Sequence, residues 1–408
     1  MFDIVEKRRS DTMQKQTVQY LLGGIFTLVI AMGIGRFSYT VILPYMQETF
    51  EFSRTTAGYL ATSNYLGYLV GALVAGRLPI AHKRIPFLQL GLIISVLTTA
   101  FMGFTETIIT WYILRFISGV MSAFIFVVIA SLVLDQLANT SKTHLSGLFY
   151  SGVGLGIAIS SMMVSPIHAI YKWNGTWIAL ALFCVLLLVF IVIFIKPISH
   201  SKQRFVNLSK SSPKVPPKSW LKWLIIAYSL EGLGYIVTGT FIVSIAQEST
   251  SFHGNAAIVW FVVGLAAIPS CIIWSKLAQY FGSVKTLLIS MVVQAVGIIL
   301  PAFSTNTIML YVSAFVFGAT FMGITTVVTT LARHIVPVNS HQILGYLTAG
   351  YAFGQMVGPS LAGILANATN SYQYSLVGAA IVVIMGALCL VGGVKYEMMT
   401  APVHAQIK

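Results

Sequence analysis

Long apolar runs alternate with short polar breaks along most of the chain. A helix crossing the hydrocarbon core of a bilayer needs ~20 mostly apolar residues. Twelve runs meet that length, near 18–46, 55–79, 86–104, 109–135, 144–169, 176–195, 220–247, 254–281, 285–304, 307–335, 341–367 and 372–394. Most breaks are short, which makes consecutive spans antiparallel. Residues 196–219 are different: they are rich in Ser, Pro and Lys and hold no acidic residue, the composition of a solvated linker. They divide six spans from six. The expected organisation is a tail at 1–17, a six-helix bundle at 18–195, the linker at 196–219, a second bundle at 220–394 and a tail at 395–408.

Composition fits this pattern. The chain is 57% hydrophobic and 8% charged, against roughly 25% charged in a soluble domain. Its mean hydropathy is +0.86. A protein of this size cannot hide so much apolar surface in its own core, so lipid must solvate the outer faces, and an all-α membrane protein follows. The three cysteines, Cys184, Cys271 and Cys389, stand isolated in apolar runs with no metal or disulfide spacing. No metal or cofactor is expected. The polar, basic N-terminus precedes an apolar run too long for a signal peptide, and reads as a cytosolic tail.

The formal net charge of +14 would suit nucleic acid if it formed one patch, but it lies scattered in short loops. With the N-terminus inside, the segments on that side hold 20 of the 24 Lys and Arg. The opposite loops hold 2, Arg54 and Lys172, while Arg36 and Arg115 lie within spans. The positive-inside rule thus predicts a plasma-membrane protein with both termini cytosolic, and a bacterial source is the expectation.

Features recur at an offset of 198 or 199 residues, the sign of a duplicated bundle. Gly33-Ile34-Gly35-Arg36 of helix 1 parallels Gly232-Leu233-Gly234-Tyr235 of helix 7. Gly119 parallels Gly318, and Gly147, Gly152 and Gly156 parallel Gly345, Gly350 and Gly354. On helix 11, Gly350, Gly354, Gly358 and Ala362 form a small-residue stripe, which reads better as close helix packing than as ligand contact.

Several of these segments resemble the major facilitator superfamily. Gly76-Arg77-Leu78 followed by His82-Lys83-Arg84 is similar to its loop signature after helix 2, with Ile80 or Ala81 where that signature has an acid. The second copy, 276–285, keeps Gly282 and Lys285 and has Gln279 where Asp is expected. The carboxylate that supports a conformational latch in many relatives is therefore missing from both. Arg115 to Ala123 resembles the helix 4 signature. Helix 5 has Gly147 and Gly156 of the antiporter signature but Ser160-Ser161 for its Gly-Pro, and helix 11 has the fuller form with Gly358-Pro359. Gly33 to Thr40, Ser63 to Tyr68 and Gly152 to Gly156 resemble the bacterial YbfB/YjiJ-type branch. The resemblance implies two pseudo-symmetric six-helix bundles that transport a solute between them.

Ionisable groups deep in a span are costly and are functional candidates by default. Arg36 lies within helix 1 beside two glycines, and its fork of donors suits a carboxylate, phosphate or sulfonate. Arg115 lies nearer the end of helix 4, where snorkelling competes with a cavity role. Glu231 is the one acid well inside a span. Burial favours its neutral form and a nearby Arg the charged form, so it is the proton-coupling candidate; a structural pair with Arg36 or Arg115 is the bland alternative. Aligning helices 1 and 7 sets Tyr235 opposite Arg36. Tyr39, Asn64, Tyr65, Gln294 and Gln355 are candidate cavity liners. The gating candidates are Arg77, Lys83, Arg84 and Lys276 of the signature loops, with Asp135 and Arg333 at the ends of helices 4 and 10. Glu48 and Glu248 read as solvated.

The expectation is a monomeric secondary transporter of a small organic solute, with an organic anion as a candidate, working by alternating access with a proton as coupling ion. Efflux of amphipathic or toxic compounds competes with uptake of an organic anion. No Walker-type lysine points to ATP. A membrane-bound lipid-modifying enzyme would need a catalytic cluster near one interface, and a non-transporting sensor an added soluble domain; neither is legible.

Overall fold

The computed structural model describes residues 2–77, 83–140, 142, 145–196, 215–336 and 340–398. Among them there is no strand. The first span is interrupted: α1 (Phe2–Leu28) passes into a π-helical turn at Val29–Ile34, and α2 (Ser38–Phe50) follows. The bundle continues with α3 (Arg54–Arg77), α4 (Arg84–Met102), α5 (Ile108–Asn139) and α6 (Ser146–Phe194). Spans 5 and 6 are the two arms of α6, which reverses at Lys172 with φ 57° and ψ −169°. The second bundle holds α7 (Leu221–Glu248), α8 (Ala256–Phe281), α9 (Ser283–Phe303), α10 (Thr307–Ile335), α11 (Ser340–Thr369) and α12 (Gln373–Leu390), with a short α13 (Val394–Met398) after it. Counting α1–α2 as one segment and α6 as two, the described residues form twelve long helical segments. Residues 2–17, expected as a tail, already belong to α1. Most of the expected linker, 197–214, lies outside the described residues.

Among the described residues, nine helices are long and apolar enough to cross a membrane. The α3 and α11 helices fall outside that set, and they pack against each other across the bundle boundary. There the Thr62 hydroxyl donates to the Met356 carbonyl at 2.8 Å and lies 2.6 Å from the Ser360 hydroxyl. Their polarity serves a helix-to-helix seam rather than lipid. The α6·α8 seam is its pseudo-symmetric counterpart.

The duplicated glycines pack in duplicate. A Cβ on Gly119 would strike the Asn64 carbonyl, and one on Gly318 the Val263 carbonyl, two acceptors 199 residues apart. Gly152 and Gly156 bring α6 against Ile25, Val29 and Gly33. Gly350, Gly354 and Gly358 bring α11 against Ser229 and Leu233 of α7, so the helix 11 stripe is a packing surface. At the tail-side end of α9, the Glu397 carboxylate of α13 accepts from Val284 N at 2.7 Å and Lys285 N at 3.2 Å. Gly282 leaves room for it at φ 92°, capping the positive end of α9.

Candidate functional site

The break in helix 1 builds the site. In the π turn the Gly35 N–H reaches back five residues to the Ile30 carbonyl, 2.8 Å, and Phe37 N–H to Met32, 3.0 Å. Carbonyls are freed as a result, and in a dry interior each needs a donor. The Ser122 hydroxyl donates to Ala31 O at 2.7 Å and Ser118 to Gly35 O at 2.8 Å. The Arg115 guanidinium reaches Gly35 O and Arg36 O, both at 3.5 Å. From the other bundle, Trp260 Nε1 donates to Phe37 O at 3.2 Å. Interrupted helices of this kind often mark functional sites.

Arg36 is 2% exposed and does not snorkel. Its guanidinium carbon stands 4.1 Å from the Tyr68 ring centre and 4.8 Å from that of Tyr65. Its Nη2 donates across the bundle boundary to Gln355 Oε1 at 2.6 Å, and the Gln355 amide in turn donates to the Tyr235 hydroxyl. The alignment of helices 1 and 7 thus brings Arg36 and Tyr235 to one network. Arg115 is 1% exposed, with its guanidinium 4.4 Å from the Tyr39 ring centre. Tyr39 OH donates to Ala57 O at 3.0 Å, and the Asn64 amide to Arg115 O at 2.9 Å. All seven binding candidates, Arg36, Tyr39, Asn64, Tyr65, Arg115, Tyr235 and Gln355, are therefore buried around one break.

Glu231 is fully buried in α7, and neither carboxyl oxygen has a hydrogen-bonding partner. It makes no ion pair with Arg36 or Arg115; the ion pairs among the described residues are Arg54–Glu248 and Arg84–Asp135. The reading of Glu231 as half of a structural pair is thereby removed. The amide of Gln294 on α9 faces it, with its own oxygen and nitrogen equally unpaired. Around Tyr235 the sequence reading missed a run of near-parallel rings. Tyr228 and Tyr351 lie 4.1 Å apart at 11°, Tyr351 and Tyr235 5.5 Å apart at 9°, and Tyr235 and Phe321 6.0 Å apart at 8°, with Phe317 beyond.

The gating candidates do not converge. Asp135 pairs with Arg84 at 2.8 Å inside its own bundle and not with Arg333. Lys83, Lys276 and Arg333 are exposed, with no carboxylate within 4 Å among the described residues. The Arg77 side chain lies outside the described residues. The bundles are tied at the opposite end. Arg54 pairs with Glu248 at 2.9 Å, correcting the reading of Glu248 as simply solvated, and bonds to Asn370 at 2.6 Å. The Thr40 hydroxyl donates to Gly239 O at 2.6 Å. The principal contacts of α1, by contrast, stay within its own bundle.

Two six-helix bundles meeting at a broken helix, with polar groups buried at their boundary, define a transporter of the major facilitator fold. Over residues 28–391 the chain matches the family described as uncharacterised MFS-type transporter YbfB, and it belongs to that family. It is 24% identical over 363 residues to YceJ of Bacillus subtilis, an uncharacterized MFS-type transporter, covering 85% of this chain and 89% of that one. Multidrug resistance protein 2 of Bacillus subtilis is 21% identical over 393 residues, covering 93% and 96%. A crystal structure of a mutant of the nucleoside transporter NupG superposes with a TM-score of 0.67 at 15% identity, covering 94% of this chain and all of that one; this likeness is one of fold. The protein is thus a membrane-spanning transporter of a small solute, with bacterial relatives, and not an enzyme.

Proposed function

We propose that the protein is a proton-coupled secondary transporter of small organic anions with a planar apolar body, working by alternating access as a monomer with both termini cytosolic. One observation carries the reading. Two guanidiniums, Arg36 and Arg115, are buried together with no carboxylate within 4 Å among the described residues. A buried charge is costly unless an opposite charge offsets it, and a carboxylate or sulfonate on the solute suits both forks. The stacked face of Tyr228, Tyr351 and Tyr235 would take the body of the solute.

The network suggests the coupling. An anion at Arg36 competes with Gln355 Oε1 for the same Nη2, loosening a bond between the bundles. Glu231 is buried beside the Gln294 amide and the Tyr228 and Tyr351 rings with no cationic partner among the described residues, so a proton reaches or leaves it only when the closed interior opens to water. Its proton and the solute would then bias the same rocking motion. Cross-bundle bonds on the Arg54 side make the opposite, tail-side end the one that opens first.

Uptake of aromatic carboxylates into proteoliposomes, with and without a pH gradient, tests the proposal. Arg36→Lys keeps charge but loses the fork, so half-saturation should rise roughly tenfold to a hundredfold, as expected for a charge-assisted bond. Unimpaired uptake by Arg36→Ala would remove Arg36 from recognition. Efflux of amphipathic compounds is the second reading, favoured by the ring stack; transport of uncharged or cationic amphiphiles, indifferent to Arg36, would establish it instead. Labelling of a cysteine at position 210 from outside intact cells would reverse the orientation.

A further inference from the structure

On the side where the tails emerge, α7 and α12 end beside α13, and a cleft of about 520 Å³ lies between them. Trp220, Lys222, Trp223, Leu388, Lys395 and Tyr396 line it. The transport reading uses none of them. Lys222 and Lys395 are exposed, and neither has a carboxylate oxygen within 4 Å among the described residues. The Lys222 ammonium stands 5.6 Å from the Trp223 ring centre, and that of Lys395 5.1 Å from Tyr396. An aromatic face steers an ammonium without neutralising it. Glu397, two residues beyond Lys395, turns its carboxylate onto the backbone N–H groups of Val284 and Lys285.

Two further observations point to a ligand. Trp220 is 6% exposed, and its indole N–H has no acceptor, an arrangement that costs about as much as a lost hydrogen bond. The cleft also opens onto an apolar face: Trp223 is 43% and Leu388 64% exposed. An amphipathic indole at a helix end, with ammonium groups above it and aliphatic surface below, matches the headgroup layer of a bilayer.

We propose that this cleft binds the phosphate headgroup of an anionic phospholipid, whose acyl chains lie along the exposed faces of α7 and α12. The lysines supply the charge that distinguishes an anionic from a zwitterionic headgroup, and the Trp220 indole, its unpartnered N–H packed against Gly393, forms the wall on which the headgroup seats. The site is separate from the Arg36 network and does not depend on which solute is carried.

Native mass spectrometry of the full-length protein, released from detergent with phosphatidylglycerol, phosphatidylcholine or inorganic phosphate, tests the assignment. The wild type should retain phosphatidylglycerol roughly tenfold or more over phosphatidylcholine, from about two surface charges. The Lys222→Gln/Lys395→Gln double variant should lose that preference while melting as the wild type does, since both side chains are exposed. Trp220→Phe, which shortens the ring system and removes the N–H with it, should lower retention severalfold and serves if the double variant is unstable. Equal retention of the two lipids by the wild type, or a preference unchanged in both variants, would overturn the site. Displacement of phosphatidylglycerol by millimolar phosphate would reassign it to a soluble anion.

Discussion

Helices 1 and 7 began from the same pattern and differ in one respect: the first is broken at its glycine pair and the second runs unbroken from Leu221 to Glu248. Glycine alone does not explain this, since both helices have it at matching positions. The neighbours do. In the first bundle Ser118, Ser122 and Arg115 of α5 supply donors to the freed carbonyls. At the offset of 199 that aligns Gly119 with Gly318, α10 carries Phe317, Phe321 and Ala314 in their places. No donor stands there, so α7 keeps its own i→i−4 ladder, and the phenyl rings stack with Tyr235 instead. Divergence at these three positions, with Arg36 against Tyr235 and Met32 against Glu231, makes one copy a cation-bearing break and the other an aromatic wall with a lone carboxyl.

The strongest test asks whether the packing shared by the two copies is equivalent. Gly119→Val and Gly318→Val should each prevent recovery of folded protein. Both force a side chain into a backbone carbonyl of the adjoining helix, beyond the ~1–3 kcal/mol of ordinary overpacking. Survival of one but not the other in detergent melting would show that the bundles do not pack alike.

Next comes the carboxyl that only the second copy has. Glu231→Gln should abolish accumulation driven by a pH gradient yet leave counterflow exchange intact. Because Glu231 pairs with neither arginine, its isosteric amide leaves no charge stranded, and the melting temperature should stay level. Unchanged gradient-driven uptake in a stable Gln variant would take Glu231 out of coupling.

The donors of the first copy should matter less, but measurably. Ser118→Ala with Ser122→Ala strands the Ala31 carbonyl and leaves Gly35 O only the long bond from Arg115, at roughly 1–3 kcal/mol for a stranded group, and should also slow transport by loosening the break around Arg36. If stability and rate both hold, the break is maintained by something other than those hydroxyls. The smallest effect belongs to the tie on the far side. Arg54→Gln removes a half-exposed ion pair worth about 0–1 kcal/mol, so melting should barely move, and any shift should shrink with added salt. A large loss would mean that the bundles are held chiefly there.

Much of this was legible in the chain. The twelve spans followed from the length of the apolar runs, and the duplication from Gly119, Gly318 and their companions at constant offset. Arg36, Arg115 and Glu231 stood out because ionisable groups in lipid-facing sequence are expensive. The ring stack escaped, although its signal was present in the same offset: serines of one copy align with phenylalanines of the other. The gating candidates failed for a different reason. Asp135 and Arg333 end helices on the same side, but partnership there depends on which helices are neighbours, and Arg84 is nearer.

The sequence by itself determined that the chain spans a membrane, how many times, and that two copies of one bundle compose it. These depend on length, hydropathy and periodicity, which are local quantities. Which of two similar helices breaks, which arginine bridges the bundles, and that Glu231 stands without a cationic partner were decided only by the tertiary structure. Each depends on whether a donor or a charge from a distant part of the chain arrives within hydrogen-bonding distance, and the bilayer interior, with no water to substitute, makes that arrival decisive.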